Sequence, residues 1–336
     1  MSNAYKPLTL HGSIGLRTAS LLRLACAAAI TVLRRPVAGA PRPSWTLAFE
    51  IATRFFKAQD ASVRAAAATS DMARCRAIAD SLVFYRPALK EMRIAPEAKL
   101  PGNWFVAPKP GPTVLYLHGG GYAFYPRMTD NIVAAVSMAI GGRTFAPHYP
   151  LAPEHPFPAQ LEAARRAYAW LLESVPPSRI IFAGDSAGGH LALMLLLTLS
   201  GLPRPAAIIA ISPWTDPTNN GASVTENSIF DWMSPQMSDQ LARWAGAEFT
   251  QNASLTEWPD ARDLAQLPPT LVHAGDAEIC RDMVVHFCTR AQNAGAPVTC
   301  RVWPDMNHNF HGFGELMPQS RDALAEIGAF AAKHCS

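Results

Sequence analysis

The chain has 336 residues, of which 49% are apolar and 16% are charged. Soluble chains carry roughly 25% charged residues, so this composition predicts a large buried core and excludes an intrinsically disordered chain. The net charge of +3 is too small for a chain-wide nucleic-acid-binding surface. Six scattered cysteines form no CxxC pair and no metal-site spacing, which predicts reduced thiols in a cytoplasmic protein without a bound metal.

The first 49 residues contain six lysine or arginine side chains and no acidic one. Arg23 interrupts an apolar run over residues 21–33 and leaves about ten unbroken positions, fewer than the roughly 18 of a spanning helix. The small residues from Val37 to Ala40 allow a signal peptide as an alternative, and with it a secreted form. A basic amphipathic helix that covers a cleft and weakly contacts an anionic membrane surface is a second alternative. The helix-compatible pattern predicts a helical cap over residues 1–80.

After residue 112 the chain alternates between strand-like and helix-like segments. This alternation predicts a mostly parallel sheet with helices on both faces, within a catalytic domain over residues 81–336. A stretch rich in Trp, Pro and Asn after residue 211 has no clear periodicity. Strands are predicted at 113–118, 143–146, 179–183, 206–211, 270–274 and 298–303, and helices at 130–140, around 170, at 187–199, 282–294 and from 321.

The sequence Gly184-Asp-Ser-Ala-Gly188 lies where a predicted strand meets a predicted helix. A G-x-S-x-G motif in this context is typical of a strained turn that presents a serine hydroxyl above the sheet. We therefore predict that Ser186 is a nucleophile. The N–H of Ala187, at the start of the helix, is the expected first donor to a developing oxyanion.

A second glycine-rich segment, His118-Gly-Gly-Gly121, follows another predicted strand. Consecutive glycines allow backbone N–H groups to approach an anion without interference from a Cβ atom. HGGG segments supply the second part of the oxyanion hole in lipases and esterases, so Gly119 and Gly120 are the expected donors. A phosphate-binding loop is the alternative, but neither glycine-rich phosphate signature is present.

With these two motifs and Tyr149-Pro-Leu-Ala-Pro-Glu-His-Pro-Phe-Pro-Ala159 between them, the chain resembles the hormone-sensitive-lipase family of α/β-hydrolases, the HGGG esterases. The resemblance extends from about residue 106 to residue 313. It implies an α/β-hydrolase fold and a serine hydrolase that needs no cofactor. Pro150 departs from the family, which usually has arginine after the tyrosine, and this change affects a supporting contact rather than a catalytic group.

A serine nucleophile needs a histidine base, which in α/β-hydrolases comes last in the chain. The segment from Val302 to Phe313 contains two histidines. His308 resembles the family's position, four residues after Pro304, whereas His311 is the alternative because a Gly-Phe pair follows it. A metal site formed by Asp305 with both histidines is disfavoured, because no further ligand is evident.

The base in turn needs a carboxylate to orient it. The loop after the strand at 270–274 contains three acidic residues. The family resemblance implies Glu278, four residues before a second acid at Asp282. Asp276 is the alternative, because most relatives use aspartate. Asp282 has a sufficient structural explanation in the first turn of the next helix, where an acidic side chain favours the helix dipole.

Loop aromatic side chains could form an acyl or alcohol pocket, which favours short- to medium-chain apolar esters as substrates. The same triad would also serve a lipase, amidase, lactonase or deacetylase. A non-catalytic ligand receptor on this fold is an alternative of another class, which the presence of His308 disfavours. The resemblance also makes a homodimer an expectation. The candidate pocket residues are Tyr122, Phe124, Trp214, Phe230 and Trp232.

Overall fold

The computed structural model describes residues 8–84 and 87–335, apart from the side chains of residues 315 and 316. The strands are β1 Leu8–Leu10, β2 Leu82–Phe84, β3 Arg93–Pro96, β4 Gly102–Val106, β5 Thr113–Leu117, β6 Arg143–Pro147, β7 Ile180–Asp185, β8 Ala207–Ile211, β9 Thr270–Gly275 and β10 Val298–Trp303. The α-helices are α1 Ile14–Ala38, α2 Leu47–Ala67, α3 Met72–Ala79, α4 Pro87–Glu91, α5 Thr129–Ile140, α6 Ala159–Leu172, α7 Ala187–Leu197, α8 Ser223–Glu226, α9 Pro235–Ala245, α10 Ala247–Asn252, α11 Ala261–Leu264, α12 Arg281–Asn293 and α13 Pro318–His334.

Eight strands form one sheet in the order β10-β9-β8-β7-β5-β6-β4-β3. The pairs from β10 to β6 are parallel, whereas β4 pairs antiparallel with β6 and with β3. Strands β5, β7, β8 and β9 are buried at every residue, as expected when helices cover both faces of a parallel sheet. The prediction of an α/β-hydrolase fold with a mostly parallel sheet is confirmed.

The sequence pattern did not reveal the antiparallel edge formed by β3 and β4. All four residues of β3 are exposed, so this edge strand lacks the apolar run that identifies a buried strand. The stretch between β8 and β9 is also more regular than expected, because it contains α8 to α11. Helix α9 has a clear start signal, since Ser234 Oγ accepts the Met237 N–H at 3.1 Å and Pro235 occupies the first turn.

The N-terminal layer comprises α1, α2 and α3 and is closed by a small ribbon in which β1 pairs antiparallel with β2. This ribbon extends the layer to Phe84, and the division at residue 80 stays a prediction. The layer packs on the loops that follow β9 and β10. Trp45 Nε1 donates to the carbonyl of Asp305 at 2.6 Å, and Asn307 Nδ2 donates to Thr53 Oγ1 at 2.9 Å.

Helix α1 spans 25 residues. Among the described helices it is the one that is long and apolar enough, by length and composition alone, to cross a membrane. The prediction from the unbroken apolar run was too strict, because Arg23 interrupts the run without ending the helix. A signal sequence near the N-terminus meets the same criterion, so this property alone does not define the role of α1.

Candidate active site

Ser186 lies on the turn between β7 and α7 and is 6% exposed. Its backbone has φ 55° and ψ −123°, a conformation that non-glycine residues rarely adopt. The turn is possible because its flanking residues are glycines: a Cβ on Gly188 would lie 1.9 Å from the Leu117 carbonyl oxygen, and one on Gly184 would lie 2.4 Å from the Gly188 carbonyl oxygen. The expected strand-to-helix turn is present, with the serine at its apex.

The glycine-rich loop after β5 lies beside this turn. The N–H of Gly119 donates to Asp185 Oδ1 at 3.0 Å, so the prediction that Gly119 is an oxyanion donor is wrong. The N–H groups of Gly120 and Gly121 have no hydrogen-bond acceptor within the described residues. Ala187 follows Ser186 as the first residue of α7, where N–H groups have no partner inside the helix.

The loop is held by a buried polar and aromatic cluster. His118 stacks between Tyr125 and Tyr149, with ring centroids 4.0 and 3.9 Å away, and its Nδ1 lies 2.7 Å from the Gly119 carbonyl oxygen. Burial lowers the pKa of His118 to about 3, so the ring is neutral. His118 therefore supports the loop and does not serve as a base.

His308, in the loop after β10, lies next to Glu278, in the loop after β9. His308 Nδ1 lies 3.4 Å from Glu278 Oε2, and both side chains are almost fully buried. Within the described residues, neither carboxylate oxygen of Glu278 meets hydrogen-bond geometry with any donor, His308 Nδ1 included, so the 3.4 Å approach is an electrostatic contact. Burial lowers the pKa of His308, but Cys280 and Glu278 raise it, and the resulting pKa lies well above the ordinary value of 6.5. A buried carboxylate next to Nδ1 fixes the ring and stabilises its charged form.

The alternative acid and base lie elsewhere. Asp276 Oδ1 accepts from Arg42 Nη2 at 2.9 Å at the edge of the N-terminal layer. His311 Nε2 lies 3.0 Å from His273 Nδ1 and stacks on that ring. Asp282 Oδ2 accepts the Ser223 N–H at 2.9 Å in the first turn of α12. The structure thus brings Glu278, and not Asp276, to His308.

The third member of the disfavoured metal set also lies apart. Asp305 Oδ2 accepts the Ser44 N–H at 3.0 Å, and Asp305 Oδ1 lies 3.5 Å from Arg42 Nε. Its carboxylate therefore faces the N-terminal layer rather than the two histidines.

Two site residues were not found by the sequence analysis. Asp231 is fully buried and accepts the N–H groups of Ile279 at 2.8 Å, Trp232 at 2.8 Å and His308 at 3.3 Å. It therefore connects the acid loop to the histidine loop. Burial raises the pKa of Asp231 to about 6. No local motif marks this residue, because the two loops it connects are 48 and 77 positions away in the sequence.

The second is Cys280, which immediately precedes α12. Burial raises the pKa of its thiol to about 11, so the thiol stays protonated beside His308. A single cysteine in the acid loop carries no signal that distinguishes it from the other five in the sequence.

Ser186 and His308 line a common cavity of about 250 Å³, whose walls are mainly apolar. Phe124 and Trp232 line it as predicted, and Trp232 Nε1 also donates to the His308 carbonyl at 2.8 Å. Further walls come from α2 and α9. The α2 residues are Phe55, Phe56, Gln59, Asp60 and Val63, and the α9 residues are Met237 and Leu241.

The predictions for three other aromatic residues are wrong. Tyr122 is buried in the core, where its hydroxyl bonds to His190 Nδ1 at 2.7 Å. Trp214 is also buried, with Nε1 donating to Asn219 Oδ1 at 2.8 Å. Phe230 lies under the Arg42 guanidinium, 4.8 Å from ring centroid to Cζ. Each side chain has a polar or cationic partner away from the cavity.

A parallel sheet with a serine at a strained strand-to-helix turn and a histidine in the last loop defines an α/β-hydrolase. A family model described as alpha/beta hydrolase fold matches residues 114–312. The chain belongs to the hormone-sensitive-lipase family of α/β-hydrolases.

Similar proteins include enzymes and solved structures. An acetyl-hydrolase of Streptomyces hygroscopicus is 38% identical over 226 residues, which cover 66% of this chain and 75% of that protein. A carboxylesterase/phospholipase of Mycobacterium tuberculosis is 34% identical over 230 residues, covering 66% of this chain and 61% of that protein. The crystal structure of an esterase from the bacterial hormone-sensitive lipase family superposes with a TM-score of 0.70 at 30% identity, covering 94% of this chain and 99% of that one.

Proposed function

We propose that this protein, a serine carboxylic ester hydrolase by its family, hydrolyses short- to medium-chain apolar esters through Ser186, His308 and Glu278. One observation carries the proposal. Ser186 and His308 line one cavity, and Glu278 Oε2 lies 3.4 Å from His308 Nδ1. This is the order of nucleophile, base and orienting carboxylate that acyl transfer requires.

The proposed reaction has two halves. Ser186 Oγ attacks the ester carbonyl carbon while His308 takes the hydroxyl proton, and His308 then gives this proton to the leaving alcohol. Water, deprotonated by His308, hydrolyses the acyl-enzyme and releases the acid. The oxyanion of each tetrahedral intermediate is stabilised by the N–H groups of Gly120, Gly121 and Ala187, with Gly121 in place of the Gly119 expected from the sequence.

The cavity supports the substrate class. Its volume of about 250 Å³ is slightly smaller than the roughly 300–1,000 Å³ of typical ligand pockets. Apolar walls with few charged groups favour an uncharged acyl chain of modest length. The acetyl-hydrolase and the carboxylesterases among the similar proteins act, by their names, on compatible substrates.

The test is hydrolysis of p-nitrophenyl esters of increasing acyl length, combined with mass spectrometry after treatment with a fluorophosphonate. We expect turnover that is highest for short to medium chains and a single adduct on Ser186. Ser200→Ala is the matched control, since Ser200 is an exposed serine beyond the opposite end of α7 from the turn. Turnover by Ser186→Ala near the wild-type rate, or an adduct on another serine, would refute the assignment.

Two finer expectations accompany this function. A cytoplasmic location agrees with the six cysteines, all of which are free thiols. A homodimer through an exposed sheet edge agrees with the open edges at β10 and β3. Light scattering in solution tests the second expectation, and a monomer at all concentrations would refute it.

A further inference from the structure

Helix α1 presents its apolar side to solvent, the reverse of a usual surface helix. Ser20, Ala27 and Thr31 are its buried residues and face the protein. At 3.6 residues per turn, the exposed large apolar residues cover roughly the opposite half of the helix. Val37 is 92% exposed and Leu33 is 75% exposed. The other members of this apolar face are Ile14, Leu21, Leu22, Ile30 and Val32.

Cationic side chains border the apolar face. Arg17 and Arg34 are exposed, and Arg23 lies at the edge toward α2. The sequence has no acidic residue before Glu50, so the surface of α1 is uniformly cationic around its apolar centre. An apolar stripe with arginines on its borders is typical of helices that lie in a membrane interface, because long basic side chains reach back to lipid phosphates.

A groove between α1 and α2 brings Lys57 beside Arg23. Arg23 Nη1 donates to Gln59 Oε1 at 2.8 Å, and Lys57 Nζ donates to the carbonyls of Ser228 and Ile229 at 2.8 and 2.7 Å. The hydrogen-bond partners are neutral, and both cationic side chains line the groove. Headgroup phosphates of an anionic lipid carry the opposite, negative charge and would therefore bind there.

Helix α1 cannot span a bilayer while it keeps its contacts with the rest of the protein. Ser20 Oγ bonds to Ser81 Oγ at 2.6 Å, and Arg35 Nη1 pairs with Glu50 Oε2 at 3.2 Å near the other end. Polar groups transferred to hydrocarbon would lose these partners at high cost. The geometry is therefore that of a helix parallel to the membrane plane.

We propose that α1 docks this protein on an anionic lipid bilayer, with its apolar face in the interface and its arginines at the phosphates. A second copy is a poorer occupant, because pairing through the same face would bring two cationic borders together and α1 itself contains no acidic residue to offset them. The proposal does not depend on the proposed esterase activity. It does place α2, which lines the catalytic cavity through Phe55 and Phe56, next to the lipid surface.

The test is flotation of the full-length protein with vesicles of equimolar phosphatidylcholine and phosphatidylglycerol, and with vesicles of phosphatidylcholine alone. We expect binding to the anionic vesicles that is at least about tenfold stronger than to the neutral ones, since each basic residue near the surface contributes about fivefold. We expect Leu22→Glu/Leu33→Glu to weaken binding by at least about tenfold through lost apolar insertion.

The matched control is Val285→Glu/Val302→Glu, which adds the same charge at exposed apolar positions outside α1 and is expected to bind within about twofold of wild type. Circular dichroism verifies folding, and Val37→Glu, at a 92% exposed position, replaces the double variant if that variant unfolds. The proposal would be overturned if the wild type failed to float with the vesicles, or if both double variants bound equally. It would also be overturned if the bound protein resisted alkaline carbonate extraction, as a spanning helix does. A wild-type dimer that binds no vesicles and that Leu22→Glu/Leu33→Glu dissociates would overturn it as well.

Discussion

The two halves of the candidate active site are built in different ways. The nucleophile half consists of two short motifs, each confined to one turn. Glycines beside Ser186 permit its positive φ, and the absence of a Cβ lets Gly120 pack against Phe124 and Gly121 against Leu241. The acid-base half consists of two loops 30 residues apart, from Glu278 to His308, which meet through the distant carboxylate of Asp231. Local sequence therefore specifies the first half, whereas tertiary contacts specify the second.

The largest expected effect belongs to the nucleophile half. Ser186→Ala is expected to lower kcat by about 10⁴ to 10⁶, because it removes the hydroxyl that forms the acyl-enzyme. Ser186→Ala/His308→Ala is expected to cost little more, since the two residues act as a unit. Steady-state kinetics on a p-nitrophenyl ester measures both variants, and a double variant that falls by the product of the single losses would contradict the shared mechanism.

The acid-base half contains two neighbouring carboxylates, Glu278 and Asp276, for which opposite effects on the rate are expected. Glu278→Gln is expected to lower kcat by about 10² to 10⁴, by analogy with losses of triad carboxylates. Asp276→Asn is the matched control and is expected to stay within about threefold of wild type, since it loses only a partly exposed ion pair with Arg42. The reverse ranking would transfer the role of triad acid to Asp276.

The pH dependence of the same pair gives an independent result. The base must be neutral, so kcat/KM falls as the pH drops through the pKa of His308. Because Glu278 helps to raise that pKa, the midpoint of the acid limb should lie above 6.5 in wild type and move to lower pH in Glu278→Gln. A midpoint that the substitution leaves unchanged would show that Glu278 does not interact with the titrating base.

The sequence predicted the parallel part of the sheet, the strand-to-helix turn at Ser186 and the two loops that carry Glu278 and His308, because these depend on periodicity and on short motifs. It failed for Gly119, whose N–H is used by Asp185, and for Tyr122 and Trp214, which point into the core. Which side of a loop an aromatic ring faces depends on distant partners such as His190 and Asn219. Asp231 escaped notice for the same reason, since its role exists only in three dimensions.

Substitution of Asp231 tests whether tertiary contacts position the acid-base half of the site. Asp231→Asn replaces a buried carboxylate that accepts three N–H groups with an amide that brings its own donors toward them, so about 1–3 kcal/mol of stability should be lost. As a positioning residue it should lower kcat by about 10- to 100-fold with little change in KM, and slow fluorophosphonate labelling of Ser186 in parallel. Asp231→Glu should restore part of the rate.

The control for this experiment is Asp239→Asn, because Asp239 is exposed and accepts a single hydrogen bond, from Asn219 Nδ2. It should unfold at the wild-type temperature and react at the wild-type rate. If Asp231→Asn lost stability but kept the wild-type kcat and labelling rate, Asp231 would serve the fold alone.

The smallest effect is expected at the cavity wall, where two nearby aromatic residues have opposite surroundings. Phe124→Ala enlarges the cavity that Ser186 faces, so kcat/KM should shift toward longer acyl chains by about 10-fold, as one or two methylene contacts change. Tyr122→Phe removes only the buried hydroxyl contact with His190, so it should cost about 1 kcal/mol of stability and leave the acyl-length profile unchanged. A changed profile in Tyr122→Phe with an unchanged one in Phe124→Ala would show that the acyl chain binds on the other side of the glycine-rich loop.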